Sequence, residues 1–257
     1  MVKTLHLVFG GPTSAEHEAA VNEWYEKHLQ QACSLPGVTA AHFYRPSSTQ
    51  FPRTTVELPA TLAIYEYDTD DLDGAVAALQ AAYREGSKRG EYEAGRSLPG
   101  PPAGSFALDE HYQPSFYELV IQWPRDSEWK LTADIAFLVF GGPTSPEVAE
   151  EVLEWYDPHL EQICSLPGIV TGQRLRPTSA QLPETTVKLP DVLAFYEMDT
   201  DDLAGAVRAA WAAHIEGMKR GVYEPGLSIP GPRPGIWDLD THYQSAYYDL
   251  VSRYPKA

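Results

Sequence analysis

Apolar positions in this chain follow first a strand period, then a helix period, and the whole alternation is written twice. Thr4–Phe9 runs apolar into Gly10-Gly11-Pro12, which reads as a buried strand ending in a turn. Val21, Trp24, Tyr25, His28, Leu29 and Ala32 then share one face of an amphipathic helix, with a histidine on that face. Leu35-Pro36-Gly37 ends the helix, and Val38–Arg45 reads as the second strand. A third strand, Thr61–Asp68, sets Leu62, Ile64 and Glu66 on one side and Ala63, Tyr65 and Tyr67 on the other. Thr69-Asp70-Asp71 caps a second helix whose apolar stripe is Leu72, Ala75, Val76, Leu79, Ala82 and Tyr83. A Gly/Pro-rich connection from Gly86 to about Pro114 precedes the fourth strand, Phe116–Gln122.

Each element returns at an offset of 131 residues. The strands recur as Asp134–Phe140, Ile169–Arg176, Val192–Asp199 and Tyr247–Arg253, and the helix face as Val152, Trp155, Tyr156, His159, Leu160 and Ile163. Solenoid units repeat every ~20–50 residues, so this spacing marks a duplicated domain. The expected division is residues 1–125, a linker at 126–130, and residues 131–257. The order βαββαβ is the split βαβ of the ferredoxin-like fold, so the class is α+β. Two helices cover one face of each four-stranded sheet, and the second copy is the expected cover for the other, sheet against sheet. Thr13 with Glu16, and Thr144 with Glu147, have the spacing of a capping box. Pro158 removes an amide inside the second copy's first helix, which predicts a kink or break that re-aims His159.

Charge narrows the partners. A net charge of −17 argues against nucleic acid and anionic membrane, so any anionic ligand must be met by local arginines. No apolar run approaches the ~18–20 residues of a membrane span. The strand pattern beginning at Thr4 leaves no signal peptide, and a cytoplasmic location is expected. Cys33 and Cys164 hold equivalent positions, one per copy, and read as small buried groups rather than a disulfide.

The helical W-Y-x-x-H-L segment (Trp24 to Leu29, Trp155 to Leu160), the following Leu-Pro-Gly and the element order resemble the dimeric α/β-barrel superfamily, in particular its EthD-like members. The resemblance covers both halves almost entirely and implies two ferredoxin-like βαββαβ repeats forming an intramolecular dimeric α/β barrel. It also implies that the helical histidine looks into a pocket between helices and sheet. Superfamily members include monooxygenases, polyketide cyclases and haem-binding chlorite dismutases, so one scaffold hosts many reactions.

The candidate catalytic residues are His28 and His159, His111 and His242, and Tyr44. Asp109-x-His111 and Asp240-x-His242 sit at the ends of the long loops, where an aspartate could orient an imidazole or where the pair could simply anchor the loop. Candidate substrate contacts are His6, Trp24, Tyr25, Phe43, Arg45, Glu66, Tyr83 and Arg176. The aromatics would wall a flat ring, the arginines would bind a carboxylate or phenolate, and Glu66 would be a general acid or an ion-pair partner. Gly10-Gly11-Pro12 lacks the spacing and lysine of a phosphate loop. A metal site built from His28, His111 and Glu66 or Asp109 remains an alternative without supporting spacing, and no cofactor is expected. His6, His42, Tyr44 and Tyr83 become Phe137, Gln173, Leu175 and His214, which points to a more polar pocket in the first copy, with His28 carrying the main activity. The expected function is a cofactor-independent lyase or isomerase (decarboxylase, dehydratase or cyclase) acting on a small aromatic or polyketide-like compound by His/Tyr acid–base chemistry. The alternatives are an oxygenase on a similar substrate, or a non-catalytic ligand-binding protein. Further homodimerisation is left open.

Overall fold

A computed structural model describes residues 2–255. The first repeat comprises β1 (Val2–Pro12), α1 (Glu18–Ala32), β2 (Val38–Pro46), β3 (Thr61–Thr69), α2 (Leu72–Arg89), β4 (Phe106–Leu108) and β5 (Ser115–Trp123). The second comprises β6 (Ile135–Pro143), α3 (Ala149–Ile163), β7 (Ile169–Pro177), β8 (Val192–Met198), α4 (Leu203–Arg220), β9 (Trp237–Leu239) and β10 (Ser245–Tyr254). Strand order is β2-β3-β1-β5 in one repeat and β7-β8-β6-β10 in the other, antiparallel throughout. This is the ferredoxin-like arrangement, found twice.

The two sheets do more than face each other. β5 pairs with β7 and β10 pairs with β2, so the long strands close into one barrel and no long edge stays unpaired among the described residues. Alternation along each strand then sorts side chains into two environments. Leu5, Leu7 and Phe9 of β1 point into the barrel, which is filled by Tyr44, Tyr117, Phe140, Phe195 and Tyr248. His6 and Val8, of opposite parity, point outward beneath the helices. Trp129 and Leu131, between the repeats, are buried in the barrel core.

Each β2–β3 or β7–β8 loop crosses to the other repeat. Ser47 N donates to Tyr247 O at 2.9 Å, and Thr54 Oγ1 donates to Ser245 O at 2.5 Å. Gln50 both donates to Tyr247 O and accepts from Tyr247 N. Gln181 and Thr185 make the matching bonds to Phe116 and Pro114. Each helix–sheet layer is therefore completed by residues of its sister.

Three local expectations change. Thr13 and Thr144 do not form capping boxes; their hydroxyls donate to Gly104 O and Gly235 O, tying each long loop to the end of its first strand. Helix α3 runs unbroken through Pro158, which is exposed, so the Glu154 carbonyl it leaves unpaired can meet water. Trp155 and His159 still stack at 4.3 Å between ring centroids, as Trp24 and His28 do, so the proline does not re-aim the histidine. The Gly/Pro-rich connection also carries structure of its own, because β4 pairs with the Gly10–Pro12 end of β1. A Cβ at Gly10 would lie 2.4 Å from Ala107 O, so only glycine admits that strand. The second helices begin as expected, with the Asp71 and Asp202 carboxylates accepting from Gly74 N and Gly205 N.

Candidate functional site

The residues singled out from the sequence fall into several separate places, with His159 in the helix–sheet layer of the second repeat. His6, Trp24, Tyr25, His28, Phe43 and Tyr83 lie together in the helix–sheet layer of the first repeat. There His6 stacks on Phe116 at 4.1 Å and Tyr25 on Phe43 at 4.0 Å. Tyr44 and Glu66 have the opposite strand parity and face the barrel interior. His42 Nε2 donates to Glu66 Oε1 at 2.7 Å, and Leu131 N donates to the same oxygen, so this carboxylate pairs within its own repeat and holds the inter-repeat segment. His111 and His242 are exposed and stack on each other at 4.6 Å across the approximate two-fold axis. Asp109 and Asp240 accept from the backbone amides of His111, Tyr112, His242 and Tyr243 rather than from imidazoles. Tyr112 Oη donates to His242 O and Tyr243 Oη to His111 O, so these segments are interlocked loop anchors. Arg45 bonds Glu18 at 2.5 Å and Asn22 at 2.8 Å, tying β2 to α1; Arg176 bonds Glu118 at 2.6 Å across the β5–β7 seam. His28, His111 and Glu66 are thus in three different environments, and no cluster of three or more potential metal ligands occurs among the described residues.

The first-repeat layer is closed around its histidine. His28 has no exposed surface, its Nε2 is 3.0 Å from Tyr83 Oη, and Trp24 Nε1 donates to Pro99 O at 3.2 Å. Leu79, 3 % exposed, packs beside them. At the equivalent place in the second repeat lies a cavity of about 750 Å³, within the range of ligand pockets. Two replacements along the 131-residue offset and one difference in loop placement open it. Ala210 stands for Leu79, His214 for Tyr83, and the Pro230–Gly235 loop leaves the Trp155 indole nitrogen without the carbonyl that Trp24 has. The ligand-sized cavity thus lies in the second repeat, whereas the sequence pointed to a more polar pocket in the first.

The cavity walls are Phe137, Tyr156, Tyr196, Trp155, Trp237 and Tyr247, with Phe51 and Arg53 delivered by the first repeat's crossing loop. Phe137 stacks on Tyr247 at 4.2 Å, the inverse of the His6–Phe116 pair, and this exchange places a tyrosine hydroxyl where the first repeat has none. Tyr247 Oη, Ser245 Oγ, His214 Nε2, His159 Nδ1 and Trp155 Nε1 are all buried without a protein partner. A buried polar atom left unpaired costs roughly 1–3 kcal/mol, and several on one cavity form a hydrogen-bonding surface awaiting a ligand or water. Burial drives the His159 pKa down to about 3, with the neighbouring His214 adding to the effect; burial and then Arg53 lower that of His214. Burial thus favours the neutral form of both imidazoles. Burial also raises the Tyr247 hydroxyl above its usual range, keeping it a donor. Cys164 is pushed up to about 12 by burial and then Glu161, so the thiol stays protonated; Cys33 behaves likewise and both are free.

His214, Ser245, Tyr247, Phe51 and Arg53 were not among the residues expected from the sequence. The first three are visible as exchanges between the copies (Tyr83, Pro114 and Phe116), whereas Phe51 and Arg53 reach the cavity only through the loop crossing.

Fold and site together define a dimeric α/β-barrel protein with both halves on one chain and a ligand-sized cavity in the second half. No protein-family model and no curated protein sequence matches the chain. Solved structures do. An anthrone oxidase-like protein is similar at 16 % identity over 98 % of this chain and 92 % of its own, with a TM-score of 0.50. A candidate monooxygenase from Fusobacterium nucleatum is similar at 10 % identity over 98 % and 93 %, with a TM-score of 0.52. A candidate chlorite dismutase is similar at 12 % identity over 98 % and 96 %, with a TM-score of 0.53. At such identities the likeness is one of fold, and it agrees with the barrel described above. No helix among the described residues is long and apolar enough to cross a membrane.

Proposed function

We propose that the chain is an enzyme that uses dioxygen to oxidise a small, electron-rich aromatic compound bound in the second-repeat cavity. The observation that carries this reading is the aromatic cavity bearing two imidazoles and unpartnered hydroxyls, all four groups from the second repeat. Apolar walls suit both a flat ring and dioxygen, which is itself apolar. His159 and His214, which line the cavity, would serve as the acid–base groups, and Tyr247 and Ser245 would donate to an oxygen that gains charge. For an activated methylene between aryl groups, proton loss to imidazole yields a carbanion that adds dioxygen. Loss of water from the resulting hydroperoxide leaves a ketone, with one oxygen atom in each product. The names of the similar folds, an anthrone oxidase-like protein and a candidate monooxygenase, favour this oxidation over the lyase chemistry read from the sequence.

The test is oxygen consumption with anthrone as probe substrate. Uptake of dioxygen in step with ketone formation, abolished in His159→Ala, supports the reading. Turnover of an aromatic acid under argon with release of carbon dioxide or water would replace it with a lyase.

A further inference from the structure

We propose that the cavity's ligand is an anion, and that its negative group is received by Arg53, a residue the first repeat lends to the second. The proposal rests on the cavity being the ligand site, as argued above, and adds the chemical class of the ligand.

The charge of the lining is the first observation. In a chain of net charge −17, none of the residues lining this cavity is an aspartate or glutamate, while Arg53, Arg233, His159 and His214 all are present. A carboxylate-free lining in so acidic a chain reverses the sign of the local field. The second observation separates the two arginines. Arg233 is held by both oxygens of Glu151 at 2.8 Å, which neutralises it. Arg53 makes no ion pair among the described residues; its guanidinium carbon lies 5.3 Å from the centroid of the Trp211 ring. Trp211 in turn packs edge-on against Phe51 at 5.3 Å and lies 5.6 Å from His214. Contact with a large aromatic ring restrains the guanidinium and leaves its fork of donors for a planar oxyanion.

The third observation is the internal comparison. The residue at the Arg53 position in the other crossing loop is Glu184, so the guanidinium that lines the second-repeat cavity has a carboxylate as its counterpart. Charge and volume thus change together, and both change toward the same repeat. Arg53 also depresses the protonation of His214, so the charge at this end of the cavity rests on the arginine. The ligand this set fits is a planar aromatic carrying a carboxylate or phenolate at the Arg53–His214 end, its ring between Phe137, Trp155, Trp237 and Tyr247.

The experiment compares 2-naphthoate with its neutral counterpart 2-naphthamide on the full chain, by calorimetry, for the wild type, Arg53→Gln and Ala210→Leu. Arg53 is exposed, so its replacement leaves the fold intact. The expected result is naphthoate binding about tenfold or more tighter than naphthamide, with Arg53→Gln removing that advantage and leaving naphthamide unchanged. Equal binding of the two probes to wild type, or equal weakening of both by Arg53→Gln, would overturn the anion assignment while leaving the cavity as the site, provided Ala210→Leu weakens both. Probes insensitive to Ala210→Leu, or no binding of either, would overturn the cavity reading and this one with it.

Discussion

Ala210→Leu installs in the second repeat the side chain that fills the first, and its effect can be set against the reverse change, Leu79→Ala. Leu79 is 3 % exposed among Val76, Ala82 and Tyr65, so truncation leaves a void and costs about 3 to 5 kcal/mol. Ala210 borders an existing cavity, so three added carbons enter open space. At about 0.8 kcal/mol per buried CH₂, full burial would stabilise by at most about 2.4 kcal/mol, and partial exposure of the site lowers that toward zero. The same carbons stand where a ring would lie, so affinity for 2-naphthoate should fall about tenfold or more. Urea unfolding measures the first quantity and calorimetric titration the second. Leu79→Ala should lower the midpoint and leave binding in place; Ala210→Leu should hold or raise the midpoint and lose binding. If Ala210→Leu destabilises as Leu79→Ala does, or binds the probe normally, the second repeat does not hold the open ligand site.

The paired histidines should separate by function. His159→Ala should lower turnover by about 10²–10⁴, whereas His28→Ala should cost about 2 to 4 kcal/mol of stability by stranding the Tyr83 hydroxyl, seen in urea titration, with turnover near wild type. Acid should unfold the chain through its buried imidazoles. Burial lowers His6, His28 and His159 from 6.5 to about 3, so below pH 6.5 the unfolded state takes up protons that the folded state refuses, and stability falls as pH drops from 6.5 toward 3. The loss is about 2 kcal/mol per histidine at pH 5, and His6→Phe, the residue found at the matching position 137, should move the acid midpoint measured by circular dichroism downward. Residues 1–126 expressed alone should dimerise or aggregate, because β2 and β5 then present the edges that β10 and β7 cover; a monomer in sedimentation velocity would contradict the closed barrel.

Local pattern was enough for much of this architecture. Periods of two and 3.6 residues placed the long strands and the four α-helices, and the Asp71 and Asp202 caps marked where the second helix of each repeat begins. Duplication was plain from the recurrence of whole motifs, and the parity of β3 already separated Glu66 from Tyr65. These features depend on neighbours within a few residues, which a sequence displays directly. What lay beyond it depended on distant segments. Pro158 does not break α3, because packing of Val152, Tyr156 and Leu160 holds the helix and solvent reaches the freed carbonyl. The Asp-x-His-Tyr segments became interlocked anchors only because two loops 131 residues apart meet on the axis. Above all, the open repeat could not be told from its own histidines. Polar side chains in the first copy sit in a tightly packed layer, where His28 meets Tyr83, while in the second a smaller alanine, a displaced loop and two residues crossing from the other half leave space beside unpaired polar groups. Volume and hydrogen-bond balance are sums over everything that surrounds a point, and only the folded chain brings those contributions to one place.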